Sequence, residues 1–311
     1  MGLYTASVLE KLEETLGAPI ASRFDLIAGT SIGGIIALGL ASGLPAKKIR
    51  EAFQAHGPSI FTDKPPAQGL RAWQEMFTSA NRAKYRQENL KAAISEMVNP
   101  SLKIGDLKRP VLIPTVNLTT GKPQMFKTPH HDTLVRDKHL MAVDVALATS
   151  AAPTYFPLAQ IGDSLYADGG MYANSPDLMA FHEAKKFLGA KEEDIRVLSI
   201  GSTSSNFSFS HSGGIDLGWM QWMKDARLPS VMIASQQFIA DILMQHTMGD
   251  RYFRIDTVQS REQERSIGLD VASEAATRDL LALAEAAVQA ALPKPFVKEI
   301  LQHEVPDIKF K

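Results

Sequence analysis

The feature that most constrains this chain is a serine held between glycines, where a strand-like run meets a small-residue helix. Phe24-Asp25-Leu26-Ile27-Ala28 is largely apolar and stops at Gly29. Thr30, Ser31, Ile32 and Gly33 follow, and then Gly34-Ile35-Ile36-Ala37-Leu38-Gly39-Leu40-Ala41, a helix-like run of small and apolar residues. Gly29-Thr30-Ser31-Ile32-Gly33 is thus a Gly-x-Ser-x-Gly motif in strand–turn–helix context, the arrangement of a nucleophile elbow. So sharp a turn strains the serine backbone and calls for residues without a Cβ two before and two after it. The hydroxyl then projects from the turn above a helix N-terminus, which favours negative charge. A glycine-rich packing turn is the alternative reading of the same residues.

Composition narrows the classes. A chain of 311 residues can bury the core of one large domain, and 1–311 is read as a single unit. A formal net charge of −1 gives no basic field for a nucleic-acid polymer. The absence of cysteine excludes disulfides, a thiol nucleophile and cysteine-ligated metal. It fits a cytoplasmic location. No apolar run reaches the ~20 residues of a membrane span, and the opening residues lack the pattern of a signal peptide.

Strands and helices alternate along the chain. Val8, Leu9, Leu12 and Leu16 mark an amphipathic helix over 3–16, ended by Gly17-Ala18-Pro19. Further helices are expected over 45–56, 87–98, 144–150, 230–246 and 273–291. Residues 111–118 and 124–128 read as a hairpin around Thr120-Gly121-Lys122-Pro123. Strands are expected at 164–167, 196–200 and 251–255. Ser175-Pro176-Asp177 reads as a helix start with serine as N-cap. The alternation implies an α/β fold with a mainly parallel sheet. Residues 57–86, with Phe61, Trp73, Met76 and Phe77 among prolines, form a candidate lid, and 202–214 a candidate mobile loop.

A serine hydroxyl needs a group to take its proton. By chain order alone His182, His211 and His246 could serve in a Ser–Asp–His triad. Asp168, in Tyr166-Ala167-Asp168-Gly169-Gly170, is the stronger candidate, because a strand end followed by two glycines lets a carboxylate project into a crevice. An ordinary Asx turn is the competing account of Asp168. His130-His131 is read as a surface loop pair, and no metal or cofactor is expected.

Taken together, Gly29-Thr30-Ser31-Ile32-Gly33 and Asp168-Gly169-Gly170 resemble the two catalytic motifs of the patatin-like phospholipases. Thr149-Ser150-Ala151-Ala152-Pro153-Thr154-Tyr155-Phe156-Pro157 is similar to the family's block ahead of the aspartate. Asn174-Ser175-Pro176 is similar to its Asn-x-Pro after it. The motifs fall within the first 200 residues, and 201–311 would complete the fold with helices. The resemblance implies a three-layer α/β/α fold and hydrolysis of phospholipid or other lipid acyl esters. Ser31 would be the nucleophile, Asp168 the proton acceptor, and no metal would be required.

The family also carries an Asp-Gly-Gly-Gly-x-Arg/Lys-Gly loop whose amides form the oxyanion hole. Gly2 stands where the last glycine of that loop would be, so a truncated start and very low esterase activity for the chain as it stands are expected. Losing one oxyanion donor already costs about 10²–10³ in rate. A catalytically impaired regulatory protein of the same fold is the alternative. Trp219, Met220, Trp222 and Met223 beside Lys224 and Arg227 could mark a membrane-facing surface or a subunit contact. Arg71, Arg82, Lys84 and Arg86 could meet lipid headgroups. Gly2-Leu3-Tyr4-Thr5 with Val8-Leu9, and the elbow followed by Gly34, resemble the bacterial subgroup that cyclic dinucleotides activate in antiphage signalling. The partners so implied are a lipid substrate, a transient membrane surface, a cyclic dinucleotide and a second copy of the chain.

Overall fold

A computed structural model describes residues 1–60, 83–203, 215–216, 218, 222, 227–260, 262–267 and 272–310. The aromatic and basic residues of the candidate lid up to Arg82, the 204–214 loop with His211, and the 219–226 stretch apart from Trp222 lie outside the described residues.

In chain order the elements are α1 (Gly2–Leu16), β1 (Ile27–Ala28), α2 (Ile32–Ser42), α3 (Ala46–Ile60), α4 (Gln87–Met97), β2 (Val111–Asn117), β3 (Lys122–Lys127), α5 (Ala142–Thr149), β4 (Ala159–Ile161), β5 (Ser164–Asp168), α6 (Gly170–Ala173), α7 (Asp177–Lys186), β6 (Val197–Ile200), α8 (Arg227–Met248), β7 (Tyr252–Ile255), α9 (Glu274–Ala291) and α10 (Pro295–Gln302). Their ends follow local chemistry. α1 stops at Gly17 and α2 at Gly43, both left-handed with φ 69° and 95°, a conformation that glycine adopts without a Cβ clash. The Ser273 hydroxyl accepts the Ala276 amide and caps α9. Ser175 does not cap α7 as expected. Its hydroxyl donates to Asp177, and no side-chain cap forms at the helix start.

The sheet is mixed. The mainly parallel expectation holds for β1 with β2 and for β6 with β7, pairs joined through helices. β3 pairs antiparallel with β2 across a tight turn, with Gly121 at φ 67°. β5 also runs antiparallel to β2, and β4 to β5 across a turn at Gly162. A tight turn can only join antiparallel neighbours.

The registers carry one consequence for the site. Leu112 pairs with both β1 and β3, and Thr115 with both β3 and β5. β1 and β5 therefore share the edge of β2 opposite β3. They run toward each other along it, β1 ending at Ala28 opposite Leu112 and β5 at Asp168 opposite Thr115. The gap between the two ends falls at Ile113-Pro114. Pro114 pairs only with Met125 of β3, and a proline, which lacks an N–H, is tolerated where one edge is unpartnered.

One hydrophobic core draws on residues from Leu3 to Ile300, including the fully buried Tyr4, Leu12, Ile35, Leu38, Ile49, Ile94, Ile113 and Phe126. A second core of Ile195, Met244, Met248 and Tyr252 is packed by Leu178 and Phe181, so α7 and α8 cover the β6–β7 pair. Apolar burial of this kind is the main favourable term in folding. Among the described residues no single helix is long and apolar enough to cross a membrane.

Candidate active site

The head-to-head strand ends bring the two motifs together. Past β1 the chain turns through Gly29 and Thr30 into Ser31, which holds φ 56° and ψ −125°. A non-glycine residue in that region is strained, at a cost on the order of 1–3 kcal/mol, and such strain persists only where the surroundings enforce it. Here they do. The Ser31 amide donates to Thr149 Oγ1 at 3.0 Å, and that buried hydroxyl donates to the Pro114 carbonyl at 2.6 Å. Thr30 Oγ1 donates to the Ala173 carbonyl at 2.6 Å, tying the elbow to α6.

The two motif glycines are not equivalent. A Cβ on Gly29 would lie 2.1 Å from the Gly33 carbonyl oxygen, so Gly29 has to be glycine. A Cβ on Gly33 would meet nothing within 4 Å, which corrects the expectation that both flanking positions are closed by sterics. The crowded second position is Gly34, whose added Cβ would come within 2.7 Å of Thr149 Cγ2.

Asp168 closes β5 and is 5% exposed. Its Oδ1 accepts the Gly170 amide at 2.7 Å, so the Asx turn is present. The carboxyl also interacts with the Ser31 hydroxyl. The structural and chemical accounts of Asp168 are therefore both true of one side chain. Burial raises its pKa to about 6, against the opposing pull of the Ser31 hydroxyl and the Gly170 amide. Gly169 is required because a Cβ there would lie 2.3 Å from the Pro114 carbonyl oxygen. That carbonyl is the one Thr149 holds, so the serine elbow and the aspartate turn rest on the same backbone atom.

Ser31 and Asp168 line a cleft of about 410 Å³, within the size range of small-molecule sites. Its remaining walls are mostly apolar, with Ile35, Phe53, Leu90, Met97, Phe156 and Leu280 among them. Met1, Gly2 and Ile32 line it as well. Gly2 packs directly on the elbow, since a Cβ there would come within 2.6 Å of Ile32 Cγ1. The Ile32 amide, the first of α2, has no acceptor among the described residues.

No described histidine lines this cleft. His182 and His246 are exposed on α7 and α8. His130 departs from the surface reading: its side chain is 2% exposed and bonds Glu183 at 3.1 Å and Thr128 at 2.8 Å. Lys127 joins Glu183 at 2.5 Å, so a buried carboxylate 53 residues away organises what looks like a loop pair.

The cleft that holds the strained Ser31 and the buried Asp168 is built by residues of one recognisable family. Residues 2–181 match the model of the patatin-like phospholipases. The chain belongs to the patatin-like phospholipase family. It has that family's three-layer α/β/α fold and is an ester-hydrolysing enzyme acting on lipid acyl esters. It is 40% identical to a cGAMP-activated phospholipase of Pseudomonas aeruginosa over 306 residues, covering 97% of this chain and 89% of that protein. It is 36% identical to a cGAMP-activated phospholipase of Vibrio cholerae, over 90% of this chain and 84% of the relative. A cUMP-AMP-activated phospholipase of Escherichia coli is 28% identical over 64% of this chain and 60% of its own length.

Proposed function

We propose that this family member is a phospholipase with a Ser31–Asp168 dyad, switched on by a cyclic dinucleotide and acting peripherally at a membrane from the cytoplasm. The observation that carries the dyad is the meeting of two strand ends, which places a strained serine and a buried aspartate in one apolar cleft. Ser31 Oγ attacks the ester carbonyl carbon while Asp168 takes its proton. The tetrahedral intermediate collapses, and Asp168 returns the proton to the leaving alkoxide. Water, deprotonated by Asp168, then releases the fatty acid and restores Ser31. A base with a pKa near 6 is ionised at neutral pH and still able to give the proton back.

The activator is supported by the names of relatives that align over most of the chain. Membrane contact is supported by α8. Met232, Phe238, Ile239, Ile242 and Leu243 are all exposed on one face of it. Asp241 does not share that face, since its carboxylate accepts from the Tyr252 hydroxyl. Met232 also lines the cleft, as does the exposed Met171, so the apolar face is continuous with the cleft wall. A lipid chain leaving a bilayer would pass from one to the other along apolar side chains.

Release of fatty acid from phospholipid vesicles, measured with and without cGAMP, tests this function. The assay is run on the chain itself and on a version with Asp-Gly-Gly-Gly-x-Arg in place of Met1, so that Gly2 supplies the last glycine of that loop. Release that requires Ser31 and rises at least tenfold with the dinucleotide supports the proposal. Release unchanged in Ser31→Ala contradicts it.

A further inference from the structure

Three buried side-chain polar atoms lack a hydrogen-bond partner among the described residues: Arg23 Nε, Ser150 Oγ and Gln236 Oε1. Two of the three belong to residues that line the cleft with Ser31 and Asp168, namely Ser150 and Gln236. Unpaired buried polar atoms destabilise a fold and are rare. Two on one apolar cleft point to a polar group that the cleft is built to receive.

The place of Ser150 in the backbone is specific. Thr149, one residue before it, accepts the Ser31 amide. Ala151, one residue after it, accepts the Asp168 amide through its carbonyl at 3.0 Å. Ser150 is thus the middle residue of a three-residue segment whose ends hold the nucleophile and the base. Its backbone is satisfied, with its amide donating to Ala146 and its carbonyl accepting from Ala152, and the residue is 5% exposed. Only the hydroxyl is left over.

An ester offers acceptors and no donor, so a hydroxyl that meets it must donate. Ser150 can do this. Gln236 Oε1 cannot, because an amide oxygen only accepts; the amide nitrogen gives one of its hydrogens to the Met171 carbonyl at 2.7 Å. We propose that the Ser150 hydroxyl contacts the substrate, donating a hydrogen bond to the carbonyl oxygen of the ester that Ser31 attacks. The proposal rests on the Ser31–Asp168 reading.

The roles of a substrate contact and of a structural hydroxyl separate cleanly in Ser150→Ala. A structural hydroxyl would lower the melting temperature when removed. An unpaired one leaves it equal or higher, while kcat/KM toward a soluble p-nitrophenyl ester falls about tenfold, the worth of one hydrogen bond to a reacting group. A kcat/KM within twofold of wild type, or a loss that tracks a lower melting temperature, overturns the proposal. A second measurement does not depend on turnover. A phospholipid analogue with an amide in place of the scissile ester keeps the carbonyl, and its affinity is compared between Ser31→Ala and the Ser31→Ala/Ser150→Ala double variant. At least fivefold weaker binding by the double variant supports the contact, and equal binding overturns it. Where turnover of the chain is too slow to read, the analogue comparison decides Ser150 by itself, and labelling of Ser31 tests the dyad separately.

Discussion

Thr149 Oγ1 bridges the Ser31 amide, 3.0 Å away, and the Pro114 carbonyl, 2.6 Å away. One hydroxyl thereby ties the strained serine to the strand on which the Asp168 turn also packs. The Ser31 N–H is consumed by this bond and is not available to an oxyanion.

Thr149→Val keeps the shape and removes the hydroxyl. It strands a buried amide and a buried carbonyl, at a cost of about 1–3 kcal/mol. The variant should melt several degrees lower and lose at least tenfold in kcat, with KM little changed. Thr149→Ser, which keeps the hydroxyl, should retain most activity. Thermal denaturation alongside ester hydrolysis checks both.

The unequal crowding at the elbow separates its two motif glycines. Gly29→Ala should fail to accumulate as folded protein or should unfold at much lower temperature, because the clash is with backbone. Gly33→Ala, with open space at its Cβ, should fold within about 0.5 kcal/mol of wild type. Expression yield and denaturant midpoints read the difference.

Activity should follow the ionisation of Asp168. With a folded pKa of about 6, kcat/KM should rise with pH, reach half its plateau near pH 6, and lie about tenfold down at pH 5. The stability effect has the opposite sign. The carboxyl's folded pKa is raised above its ordinary 3.8, so its contribution is fully present below about pH 3.8 and lost as pH rises through about 6. Asp168→Asn should therefore be inactive yet melt higher than wild type at pH 8, an advantage that vanishes near pH 4.

His182 and His246 lie on exposed helix positions away from the cleft lining. Their alanine variants should keep at least half of wild-type activity. A folded but inactive variant of either would restore the triad reading.

The sequence showed the site more fully than the sheet. The elbow and Asp168-Gly169-Gly170 are local patterns, and glycine is demanded by sterics at Gly29 and Gly169. The amphipathic spacing in α1 and α9 was equally readable, because burial on one helix face leaves a period. β1 and β4 are two and three residues long, too short for a pattern to register, and the antiparallel entry of β5 depends on pairing with β2 about 50 residues earlier. His130 looked exposed because Glu183 is remote in sequence. The unpaired Ser150 hydroxyl is a property of packing alone.

Labelling of the intact protein with a fluorophosphonate probe, followed by peptide mapping, tests the central claim most directly. The dyad predicts one modified peptide, carrying the label on Ser31, with labelling abolished in Ser31→Ala and slowed at least a hundredfold in Asp168→Asn. Label on another serine, or labelling of Ser31 at an unchanged rate in Asp168→Asn, would contradict it.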